Sequence, residues 1–174
     1  LYHQNILGAL EPPVLISLNG DHTWLLEYLQ FLDLYLNVSV QVVWYLEAGT
    51  RFLFDGAYNF NIYGTLKAIG IESDSIIFDN YGNEGWKGFT LEDASNSTAF
   101  EYVRISGAES IGENTVEYGG GMYLYDSSPD MTDVIISDNE ASFDGGGMYL
   151  SASSPTMTNV TISGNEASDD AGGM

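Results

Sequence analysis

The sequence predicts an all-β chain wound as a parallel β-helix, one short strand-built coil stacked on copies of itself. Three observations carry that expectation. Residues 119–144, GGGMYLYDSSPDMTDVIISDNEASFD, are followed at once by 145–170, GGGMYLSASSPTMTNVTISGNEASDD, with 19 of 26 positions identical, and AGGM at 171–174 opens a third copy. A tandem period of this size marks one supersecondary unit that buries a face only against its neighbours. Within each copy the apolar residues come in short alternating runs broken by turn residues, which is the strand pattern. The unit is also too rich in Gly, Ser, Asp and Asn to form a pair of helices.

The elements of one copy follow in order. Met122 and Leu124 alternate with Tyr123, and Asp126-Ser127-Ser128-Pro129 then turns the chain. Val134 and Ile136 alternate with Ile135 before a second turn at Ser137-Asp138-Asn139. Gly145-Gly146-Gly147 permits the bend into the next copy, because glycine enters positive φ without a Cβ penalty. Stacked coils put equivalent residues about 4.8 Å apart. The interior columns are therefore Met122–Met148–Met174, Leu124–Leu150, Met131–Met157, Val134–Val160, Ile136–Ile162 and Ala141–Ala167. Asn139 over Asn165 reads as an internal asparagine ladder, with an exposed turn as the alternative.

The string GGGMYL…SSP…MTNVTIS.NEAS resembles the right-handed parallel β-helix repeats of secreted bacterial proteins with a pectate-lyase-like architecture. LEAGTRFLF (46–54), YGTLKAIG (63–70), DSIIFD (74–79) and GWKGFTLED (85–93) match a second kind of coil found upstream in such proteins, and FEYVRISG (100–107) parallels MTDVIISD (131–138). The resemblance covers 46–174 and implies a single-stranded right-handed solenoid of about five coils. The scaffold hosts lyases, hydrolases, adhesins and structural proteins, so it implies no one activity.

The first 45 residues depart from this pattern and read as a lead-in and cap. The stretch 1–20, with Pro12-Pro13 and Asn19-Gly20, is extended. Between Thr23 and Asn37 the polar residues Glu27, Gln30 and Asp33 recur every third position, so Thr23 can cap a helix over 24–36 that covers the open end of the bore. An irregular first coil of short strands is the competing reading. The start at Leu1 and the stop inside a third copy of the repeat read as cut ends.

Composition narrows the function classes. With 44% hydrophobic residues, 174 residues suffice for one continuous core. There is no cysteine, hence no disulfide framework, and no apolar run long enough to span a membrane as a helix. Twenty-five acidic residues face only Arg51, Lys67, Lys87 and Arg104, a net charge of −21. That balance argues against nucleic acid and anionic membranes as partners, because phosphate binding needs clustered Lys or Arg.

Candidate sites are few. Tyr123 and Tyr149 sit between inward residues and should stack side by side on an outer face flanked by Tyr125, where aromatic rings serve either sugar binding or cross-strand stability. Calcium is the one cofactor with a physical case: Asp138, Glu140, Glu166, Asp169 and Asp170 lie in stacked turns, near Asn139, Asn165 and Asp144. Solvated turn charges are the plainer reading of the same residues. Catalysis is less supported. Arg104 and Arg51 stand apart from any cluster, the lysines are outnumbered by carboxylates, and His3 and His22 lie outside the repeats. The expected function is a secreted or cell-surface structural or adhesive module. It would bind polysaccharide or associate end to end into a filament. A polysaccharide lyase or glycoside hydrolase of β-helix type is the alternative.

Overall fold

Short alternating strands cannot satisfy their backbone N–H and C=O groups within one segment, so each must pair with the coil above and below. The computed structural model, which describes residues 15–18, 23–25, 35–38, 43–82, 85–110 and 118–174, shows that arrangement. Every named strand pairs in parallel with strands of the adjoining coils, and the described residues form no helix. The chain is an all-β parallel solenoid of about four turns, one fewer than the sequence suggests.

Three sheets wrap the bore. A ten-stranded sheet provides the longest face, and a five-stranded and a three-stranded sheet close it. The five-stranded sheet stacks Tyr35–Val38, Asn59–Ile62, Phe89–Glu92, Met122–Tyr125 and Met148–Ser151. The three-stranded sheet stacks Glu109–Ser110, Glu140–Ala141 and Glu166–Ala167. In the long sheet the separate strands Val43–Glu47 and Arg51–Phe54 give way downstream to continuous eight-residue strands, Ala99–Ser106 and Asp130–Ser137. These longer strands bend in place at Tyr102 and Asp133 (φ 49° and 53°), and Asn159 (φ 53°) turns the next rung. Left-handed conformations disfavour most L-residues by roughly 1–2 kcal/mol, and Asp and Asn tolerate them best. The corner is braced along the rod as well. The negative charge of Asp133 raises the pKa of the Tyr102 phenol beside it, and the Asn159 amide donates to the Asp133 carboxylate.

Between the two full copies the registers bear out five of the six 26-residue columns. Met122 pairs with Met148, Leu124 with Leu150, Met131 with Met157, Ile136 with Ile162 and Ala141 with Ala167. Met122, Leu124, Met131, Val134, Ile136 and Met148 are fully buried. Met157 and Met174, expected inside, are instead exposed, because among the described residues no strand stacks beyond them. Upstream the bore is filled by rings instead. Phe54 stacks on Trp86 at 4.4 Å and Phe52 on Phe78 at 5.1 Å, with Phe60, Phe89 and Phe100 packed edge-on among them.

The capping helix expected over 24–36 is contradicted at both of its ends. Thr23–Leu25 is a strand in register with Arg51–Leu53, and Tyr35–Val38 is a strand in register with Asn59–Ile62. The three-residue spacing of Glu27, Gln30 and Asp33 is a local signal, and parallel pairing with the next coil overrides it at both ends of the segment. Residues 26–34 themselves lie outside those described, as do 1–14 of the lead-in.

Candidate functional site

Two surfaces gather the polar and aromatic residues that the sequence singles out. The first is an aromatic corner. In-register pairing of Met122–Tyr125 with Met148–Ser151 sets Tyr123 beside Tyr149, with ring planes 8° apart and centroids at 5.8 Å. Both are half-buried, and two further rings extend the cluster from Tyr149. Tyr118 contacts Tyr149 at 4.6 Å, and Phe143 contacts Tyr118 at 5.7 Å. Tyr125 stands exposed at the edge, with Glu92 as its in-register neighbour. Burial pushes the Tyr123 phenol pKa up, and the surrounding Tyr149, Glu92, Tyr125 and Tyr118 add to the shift.

The sequence reading missed Tyr118 and Phe143. Tyr118 precedes the first glycine of the repeat, and Phe143 stands where the next copy has Asp169. A position that differs between otherwise near-identical copies was the available signal.

The second surface is an open depression of about 530 Å³. Asp79, Glu109, Asp138, Glu140 and Glu166 line it, together with Asn80, Asn139 and the glycine corners. Glu109, Glu140 and Glu166 form a single column, one carboxylate per rung. Of the sequence-derived cation candidates, Asp138, Glu140 and Glu166 therefore share one surface. Asp169 and Asp170 sit elsewhere, at the turn beside the aromatic corner, where the Asp170 N–H donates to the Asp144 carboxylate at 3.1 Å. Among the described residues no three Asp, Glu or His side chains converge as a metal-binding group.

Below the depression runs the asparagine ladder. Asn139, 1% exposed, accepts from the Ala108 N–H at 3.0 Å and donates its amide to the Ile105 carbonyl (3.2 Å) and to Asn165 Oδ1 (2.9 Å). Asn165 repeats the pattern one rung on, donating to the Ile136 carbonyl at 3.0 Å. A second ladder, not anticipated, occupies the corner read as a plain turn. Ser127 accepts from Ala94 N–H and donates to the Tyr125 carbonyl, and its own N–H donates to Ser153.

Among the described residues no basic residue lines the depression, and Lys87 borders it. Lys87 donates its ammonium to the Glu109 carbonyl at 2.9 Å. Arg51 and Arg104 are exposed on the long sheet, in one outward row on either side of Ile77. The two histidines lie outside the described residues. No known family, curated protein or solved structure matches this chain.

The glutamate column makes a testable electrostatic statement. Unit charges about 5 Å apart repel by roughly 1 kcal/mol in water-like dielectric. Sodium chloride should therefore raise the melting temperature as the Debye length shrinks from about 10 Å to about 3 Å. Melting in sodium chloride and in calcium chloride at matched ionic strength separates screening from site binding. Equal shifts are expected for solvated carboxylates, and a larger shift in calcium would mean that the ion is held between rungs.

Proposed function

We propose that this chain is a structural or adhesive module of a secreted or cell-surface protein, a rigid rod that holds or binds rather than transforms. The observation that carries the reading is the translational repetition of its surface. Tyr123 recurs as Tyr149, Glu140 as Glu166 and Asn139 as Asn165, each directly in register or in ladder contact. Such a surface offers the same group at successive rungs. Catalysis instead requires unlike groups converging on one reacting atom. The acidic surface supports solubility outside the cell, and the ladders brace the rod without disulfides. The finer kinship, a pectate-lyase-like architecture, belongs to this same reading.

A lyase or hydrolase acting on polysaccharide remains as the second reading, favoured by one feature. Arg51 and Arg104 flank Ile77 on a flat face, where an anionic chain would meet two guanidinium groups. The deciding experiment incubates the protein with neutral and uronate polysaccharides and follows new reducing ends and unsaturated products. The rod reading expects no turnover on any of them. Turnover that disappears in Arg104→Ala would replace it with the enzyme.

A further inference from the structure

The aromatic corner has more exposed ring than packing requires. Tyr118 is 36% exposed and Phe143 39%, although these two rings already touch each other, and Tyr125 is 40% exposed. Cross-strand stacking accounts for Tyr123 and Tyr149, which pair in register. It does not account for Tyr118 and Phe143, which reach the cluster from turns and leave over a third of their surface in water. The partner that such a surface suits is set by charge. Aromatic faces carry negative potential and attract ammonium and guanidinium groups, and a planar guanidinium also stacks on them. Glu92 stands exposed beside Tyr125. The turn that carries Phe143 starts from the short sheet, whose Glu140 and Glu166 are exposed. The chain as a whole is at −21, which steers cations in and turns polyanions away.

We propose that the corner formed by Tyr118, Tyr123, Phe143 and Tyr149, with Tyr125 and Glu92 at its edge, is a docking surface for an arginine- or lysine-bearing segment of another protein. One cationic side chain lies against the exposed Tyr118 and Phe143 rings, and a second, further along the segment, meets Glu92 beside Tyr125. A neighbouring cation in an extended segment reaches the carboxylates of the short sheet. This rests on the adhesive reading and names its partner chemistry. The turnover assay above and the binding assay below read different properties, so each can fail without the other.

The test is calorimetric titration of the whole chain, near physiological ionic strength, with a short peptide of alternating Arg and Gly. The matched control carries citrulline in place of Arg, the same shape without the charge. The double variant Tyr118→Ser, Phe143→Ser removes two exposed rings and leaves every charge in place. An unchanged melting temperature and near-ultraviolet circular dichroism certify its fold. The wild type is expected to bind the Arg peptide, the citrulline peptide to bind at least about tenfold more weakly, and the double variant to lose about tenfold, the combined worth of two exposed cation–π contacts. Glu92→Gln, which keeps the rings, is expected to lose about twofold to threefold, the scale of one exposed ion pair. Equal binding by wild type and double variant would reduce the effect to diffuse acidity and overturn the proposal. So would equal binding of the citrulline peptide, or no binding of the Arg peptide. Tighter binding of a neutral oligosaccharide such as cellohexaose, lost in the double variant, would reassign the corner to glycans.

Discussion

Asn139→Leu is expected to destabilise the rod by about 2–5 kcal/mol. The side chain is buried and serves three rungs at once. Its Oδ1 takes the Ala108 N–H from the rung above, and its amide supplies the Ile105 carbonyl and Asn165 Oδ1. Leucine fills a similar volume but leaves the Ala108 N–H and the Ile105 carbonyl without that partner. Each buried polar group left unsatisfied costs about 1–3 kcal/mol. The equivalent change at Asn165, which is half-buried and braces a single described rung beyond its own, should cost about half as much. Denaturant unfolding of both variants measures the ratio. Equal and small losses would show that the ladder follows from the strand pairing and contributes little of its own. Because a solenoid couples each rung only to its neighbours, the larger defect should also broaden the transition.

Gly120→Ala should be comparably damaging, for a reason unrelated to turn conformation. The sequence assigns the glycine triplets to a bend that needs positive φ. Only the first glycine of each triplet has it, Gly119 at 66° and Gly145 at 68°. At Gly120 a Cβ would lie 2.3 Å from the Gly146 carbonyl oxygen and 2.5 Å from that of Glu140. Both obstacles are backbone, so no side chain can swing aside. Relief requires prising the rungs apart where Gly120 N–H donates to Gly145 O and Gly121 N–H to Gly146 O, each at 3.1 Å. A loss of about 3 kcal/mol or more is expected, the upper range for overpacking. A melting temperature within a degree or so of wild type would mean that the rungs yield freely and that this contact is not what selects glycine.

What the sequence could express about this chain depended on how local the signal was. In 119–170 the coil length is constant, so equivalent residues repeat at one offset. The columns of Met, Leu and Ile, the Asn139–Asn165 ladder and the Tyr123–Tyr149 pair all follow from alignment of the two copies. Upstream the offsets between paired residues change from coil to coil: 22 from Val43 to Thr65, 32 from Lys67 to Ala99 and 31 from Ala99 to Asp130. Aromatic residues fill the bore there through contacts between non-equivalent positions, as Phe54 does with Trp86. No fixed period can reveal those pairs.

The candidate surfaces divide the same way. Outward alternation already placed Tyr123, Tyr125 and Tyr149 on one face, and repetition already stacked Glu140 with Glu166. Only the folded chain brings Tyr118 against Tyr149 and Phe143 against Tyr118, and adds Glu109, from outside the repeat, to the glutamate column. The segment 23–38 shows the limit most directly. Its three-residue polar spacing is a helical signal, and Thr23–Leu25 and Tyr35–Val38 are nonetheless strands. Local periodicity determined which residues face inward within a coil. Which coil each strand joins was decided by backbone pairing across 22 to 32 residues, a long-range interaction that has no short-range trace in the sequence.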